Sequence, residues 1–190
     1  MQKITANRVW TSKGWLQNAA VHVEGGVIRR VTRDAGPACD VPVLVPGMID
    51  VHIHGGRGYS VRDTDPERAA AWLRMLAAHG VTGILASPST GPADVTRRAC
   101  EFYAGIMENP VPGGAKVLGL HLEGPFINPV RKGGMDESGI LAPTVENWER
   151  ITGSAAWAVR LISMAPEMPG APEMIRFLRR RGVRVNAGHS

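Results

Sequence analysis

VLVPGMIDVHIHGGRG, residues 43–58, is the run on which the reading of this chain turns. Its nearly continuous apolar content is the pattern of a strand buried on both faces, as in parallel sheets covered by helices. Because side chains alternate along a strand, Ile49, Val51 and Ile53 share one face, while Asp50, His52 and His54 share the other. Both imidazoles therefore point the same way at the strand's end. Gly55 and Gly56 follow, letting backbone or ligand come close. Two nitrogen ligands so placed make half of a metal site.

Upstream, Ile4 to Val9, Ala19 to Val23 and Val27 to Val31 are short valine-rich segments, and Glu24-Gly25-Gly26 between the last two is a hairpin signal within a small antiparallel sheet. His22 reads as a half-exposed strand residue, not a ligand. Ala35 to Pro42, with Gly36 and Pro37, reads as the exit from this unit, giving a first domain over 1–45 and a second over 46–190.

Downstream the chain alternates. Thr64-x-x-Glu67 reads as a capping box with Pro66 in the first turn, opening a helix that buries Ala69, Trp72, Leu73, Leu76 and Ala77 and stops at Gly80. His79 sits at its C-terminus, where a cation is favourable. Strands follow at 81–87, 116–122, 158–164 and 183–187, with helices at 94–108 and 172–181 and a short helical piece near 145–151. The helix at 94–108 presents Val95, Ala99, Phe102 and Ile106 on one side. Strands alternating with helices at this spacing indicate βα units and a parallel sheet.

Composition bounds the function. The 190 residues carry 44% hydrophobic and 21% charged side chains, ordinary for a globular protein with a real core. The +5 charge is spread along the chain apart from Arg179, Arg180 and Arg181, which suit the last turn of a helix; no nucleic-acid footprint follows from them. Two cysteines, Cys39 and Cys100, define no disulfide framework, and neither a secretion signal nor a membrane span is legible, so a cytoplasmic location is expected.

Chemistry gathers at strand ends. In KVLGLHLEGPF, residues 116–126, alternation puts Leu118, Leu120 and Leu122 on one face and Val117, Gly119, His121 and Glu123 on the other. Glu123 thus ends its strand, as His52 and His54 end theirs, and His189 lies just past the last one. In a (β/α)₈ barrel, separate strands converge at this face, so His52, His54, Glu123 and His189 are candidate metal ligands. His121 reads instead as a satisfied core residue, hydrogen-bonded to Glu123.

PGMIDVHIHG, HLEGPFINPVRKG, SMAPE and NAGHS together resemble the N-acetylglucosamine-6-phosphate deacetylases of the amidohydrolase superfamily, from roughly Ile4 to Ser190. The resemblance implies an α/β fold: part of a small β-sandwich, then about the first five strands of a TIM-like barrel. It implies a homodimer whose substrate is a small amino-sugar phosphate, with Glu123 and His189 on the main divalent metal, zinc or iron, and His52 and His54 supporting a second. One or two ions per subunit are implied, and the acid/base aspartate and a further histidine ligand are expected beyond Ser190, leaving no catalytic acid/base in this chain. After Gly133, Gly134 and Met135 fall where the family contacts the sugar; a histidine or glutamine is usual at the second position, and methionine cannot donate that hydrogen bond. The alternatives are another amidohydrolase, such as a dihydroorotase or nucleobase deaminase, and a non-catalytic fragment.

Overall fold

The computed structural model describes residues 1–190, which divide into two compact units, Met1–Gly47 and Met48–Ser190. In the first, β1 (Gln2–Thr11), β2 (Gly14–Glu24), β3 (Val27–Thr32) and β4 (Val41–Leu44) form one sheet in the order β3-β2-β1-β4. β2 and β3 pair antiparallel around the Gly25-Gly26 turn, and β4 returns parallel to β1. Ala6, Val9, Ala19 and Val21 make its small core. His22 is not half-exposed: it is 6% exposed, with Nε2 3.2 Å from Thr32 Oγ1 and Nδ1 unpartnered. Its strand is flanked on both sides, by β1 and by β3, which removes it from water. Burial first, then the nearby Arg30 and Lys3 charges, push its pKa below the ordinary histidine range.

The second unit contains β5 (Met48–Ile53), β6 (Gly55–Gly56), β7 (Tyr59–Ser60), α1 (Pro66–Ala78), β8 (Val81–Ala86), α2 (Ala93–Glu108) and β9 (Lys116–Glu123). It continues with α3 (Val145–Thr152), β10 (Val159–Met164), α4 (Ala171–Arg180) and β11 (Arg184–Ala187). Its main sheet runs β11-β10-β9-β8-β5, every pairing parallel, so sequence neighbours are spatial neighbours and the sheet curls as half of a barrel. The β-α-β rhythm read from the sequence is therefore the rhythm of the fold.

The run 43–58 is not one strand buried on both faces. Pro46 and Gly47 divide it: Leu44 closes β4 in the first sheet, and Met48 opens β5 at the edge of the second. Edge position leaves Met48 at 59%, Ile49 at 60% and Val51 at 52% exposure. The core lies elsewhere, where Trp72 and Leu73 of α1, Tyr103 of α2, Trp148 and Ile151 of α3, and Met174 and Leu178 of α4 meet Ile84, Leu120, Leu122 and Ile162 of the strands. Each of these large side chains contributes roughly 1.5–3 kcal/mol through burial.

Two local readings change. α1 is capped by Asp65, not Thr64: the Asp65 carboxylate accepts from the N–H groups of Glu67 at 2.9 Å and Arg68 at 3.0 Å. The buried stripe of α2 is Thr96, Ala99, Cys100, Tyr103 and Ala104, so Val95, Phe102 and Ile106 lie at its margin. Tyr103 sets that rotation by sharing a 2.8 Å hydroxyl contact with Tyr59.

Candidate metal centre

β5 delivers the two histidines. Its register with β8 is irregular between Asp50 and Ile53, and such a break re-aims side chains. The His52 N–H within this irregular stretch donates to Asp50 Oδ1 at 3.0 Å, which explains the acid in the Ile49-Asp50 pair. Beyond Ile53, Gly55 turns the chain at φ +133°; a Cβ there would collide with the Tyr59 carbonyl. The end of β8 then fixes His54: Ser87 N–H donates to the Ile53 carbonyl at 3.0 Å, and the Ser87 carbonyl accepts from His54 Nδ1 at 2.6 Å. A carbonyl only accepts, so Nδ1 carries a proton and Nε2 is the nitrogen left to take a metal.

β9 supplies Glu123, whose backbone is held from both sides. Its N–H donates to the Pro88 carbonyl, and its carbonyl accepts from Thr90 Oγ1 at 2.7 Å. Gly124, at φ +83°, permits the close approach of Thr90, which a side chain would block. The Glu123 side chain is 14% exposed and surrounded by imidazoles. Oε2 lies 3.0 Å from His54 Nε2, and Oε1 lies 3.6 Å from His52 Nε2 and 3.3 Å from His189 Nε2. Oε2 is buried yet receives no hydrogen bond of adequate geometry, despite that short separation. A buried carboxylate oxygen without a hydrogen-bond partner, facing imidazole nitrogens, is what a cation would satisfy. His52, His54 and Glu123 each offer a ligand atom within 4.8 Å of the others, and His189 approaches through Glu123. Nitrogen and carboxylate donors in this mixture fit zinc or ferrous iron.

An open cavity of about 600 Å³ adjoins the cluster, with His52, Glu123 and His189 in its wall. His54 stands outside that lining, as do the exposed Gly134 and the half-buried Met135.

A buried polar chain backs the site, and sequence reasoning missed most of it. His121 is 4% exposed and does not pair with Glu123. Its Nδ1 lies 2.9 Å from the Val51 carbonyl and 3.1 Å from His52 Nδ1. The carbonyl requires the proton on His121 Nδ1, so Nε2 accepts from Ser163 Oγ at 2.9 Å, and Ser163 in turn accepts from Asn186 Nδ2 at 3.2 Å. Burial, the largest influence on this ring, lowers the His121 pKa. Ser87, Ser163 and Asn186 carried one signal in the sequence: each is a polar residue within or just past the C-terminal end of an apolar strand.

Fold and site define a class: a curled parallel α/β sheet with a candidate metal centre at the carboxyl ends of its strands, the face on which (β/α)₈-barrel enzymes build their active sites. The comparisons narrow it. The chain is 31% identical over 189 residues to N-acetylgalactosamine-6-phosphate deacetylase of Escherichia coli O157:H7, covering 98% of this chain and 50% of that protein. It is 33% identical over 192 residues to N-acetylglucosamine-6-phosphate deacetylase of Vibrio furnissii, covering 97% and 48%. The crystal structure of N-acetyl-D-glucosamine-6-phosphate deacetylase from Mycobacterium smegmatis matches with a TM-score of 0.88 at 27% identity, over 100% of this chain and 50% of that one. No family model matches. The chain is thus homologous, over nearly its whole length, to N-acetylglucosamine-6-phosphate deacetylases, and it spans about half the length of the curated relatives it matches.

Proposed function

We propose that these residues supply the metal-holding part of an enzyme that hydrolyses the acetamido group of N-acetylglucosamine 6-phosphate to glucosamine 6-phosphate and acetate. The relatives' names support the reaction, and a mutant of the Mycobacterium smegmatis enzyme was solved in complex with N-acetyl-D-glucosamine-6-phosphate. The observation that carries the metal reading is the Glu123 carboxylate, its Oε2 orphaned, facing His54 Nε2 at 3.0 Å and His189 Nε2 at 3.3 Å.

Glu123, His189, His54 and His52 would hold one or two divalent ions, zinc or iron. Bound there, such an ion supplies Lewis acidity, polarising the acetamide carbonyl and acidifying water. The chain's own part is preorganisation: Ser87 and Arg131 carbonyls commit the Nδ1 protons of His54 and His189, and His121 packs against His52. Gly134 and Met135 would contact the sugar. Proton transfer between water and the leaving amine falls to an aspartate outside residues 1–190. The same reading makes the enzyme a cytoplasmic homodimer.

A second substrate is favoured by one relative, which is named for N-acetylgalactosamine 6-phosphate. Acetate release from both epimers, measured with zinc-loaded and chelator-stripped full-length natural protein, tests both readings together. Metal-dependent release from either is the expected outcome; equal release after stripping would remove the metal from the mechanism, and no release from either would remove the substrate class.

A further inference from the structure

We infer that Asn128, clamped by Glu167, is the residue that positions His189 at the metal centre, an inference that rests on the metal reading above. His189 lies beyond β11 in a left-handed backbone conformation, φ +55°, which is uncommon for a residue with a Cβ, so neighbouring contacts must hold it. Those contacts come from one short turn after β9. The Asn128 N–H donates to the His189 carbonyl at 3.0 Å. Asn128 Oδ1 accepts from the Val130 N–H at 3.0 Å, closing the 3₁₀ turn Pro129–Arg131. That turn presents the Arg131 carbonyl, which accepts from His189 Nδ1 at 2.9 Å. With Nδ1 committed to the Arg131 carbonyl, Nε2 is the nitrogen turned toward Glu123 Oε1, 3.3 Å away, and is the one a metal would take.

Glu167 closes the other side. Its Oε1 accepts from Asn128 Nδ2 at 2.9 Å, and its Oε2 accepts from Ser190 Oγ at 2.7 Å. One carboxylate therefore ties the turn to the residue after His189. Three separate stretches, INPVR after β9, SMAPE at the end of β10 and NAGHS at the end of β11, meet in this clamp. Glu167 makes no contact with Glu123, His52 or His54 among its hydrogen bonds, so its effect reaches the site through Asn128 and His189.

Cobalt(II) titration of the full-length natural protein, followed by its visible absorption band, tests the inference without any turnover. Asn128→Asp keeps the acceptor that closes the turn but sets a carboxylate against Glu167; cobalt binding is expected to weaken about 10- to 100-fold, with a changed absorption band. Adding Glu167→Gln restores the pair with donor and acceptor exchanged, and the double variant is expected to return to within about twofold of wild type. A single variant that binds as tightly as wild type, or a double variant no tighter than the single, overturns the inference and leaves the metal reading standing. Wild-type protein that takes up no cobalt overturns both.

Discussion

Glu123 is the side chain to which the candidate centre is tied, because three imidazoles approach its two oxygens and nothing else neutralises it there. Glu123→Gln keeps the shape and removes the charge, so metal affinity should fall by more than about 100-fold, beyond the loss typical of an outer-shell change. Metal analysis by mass spectrometry after dialysis checks this; full occupancy in the variant would remove Glu123 from the ligand set. The role proposed for Met135 is contact with the sugar. It lies outside the cavity lining beside the cluster, so Met135→His should leave metal content unchanged and alter KM, or the preference between the two epimeric sugar phosphates, by about tenfold, the scale of one pocket contact. Steady-state kinetics on both epimers decides, and a fall in metal content with unaltered preference would contradict the assignment.

Among the elements, α1 shows how a single neighbour changes a reading. Thr64 and Glu67 have capping-box spacing, yet Asp65 takes both N–H groups because its shorter reach from the residue before Pro66 places an oxygen over Glu67 and Arg68. Asp65→Ala should therefore cost about 1 kcal/mol in urea unfolding, and Thr64→Ala little. Equal losses would restore Thr64 as the cap. β9 is the element on which the second unit depends most, lying centrally with Leu120 and Leu122 at 0% and 1% exposure and Glu123 at its end. Leu122→Ala should destabilise by about 2–5 kcal/mol through lost burial and a residual cavity. A thermal melt of the variant unshifted from wild type would show that the site tolerates collapse.

At the scale of the molecule, β5 and β11 both stand at edges of the five-stranded sheet, and Ile49, Val51 and Leu118 leave apolar surface open. Unpaired edges beside exposed apolar residues invite association. Residues 1–190 produced alone are expected to self-associate and to release no acetate from N-acetylglucosamine 6-phosphate. Sedimentation velocity and an acetate assay check the two halves, and a monodisperse monomer with turnover on the order of 1–10³ s⁻¹ would refute both. What the amino-acid order determined by itself was the βα rhythm, the strand ends at which His52, His54, Glu123 and His189 stand, and the shared face of His52 and His54, because periodicities of 2 and 3.6 are local properties of the backbone. Only tertiary structure decided that residues 43–58 belong to two sheets, that His22 is enclosed, and that His121 serves Ser163 and Val51 instead of Glu123. It also decided that Nδ1 of His54 and of His189 carries a proton, since the Ser87 and Arg131 carbonyls that accept it come from segments distant in the chain. Burial and hydrogen-bond partnership are set by which segments meet, and alternation along one segment carries no information about that meeting.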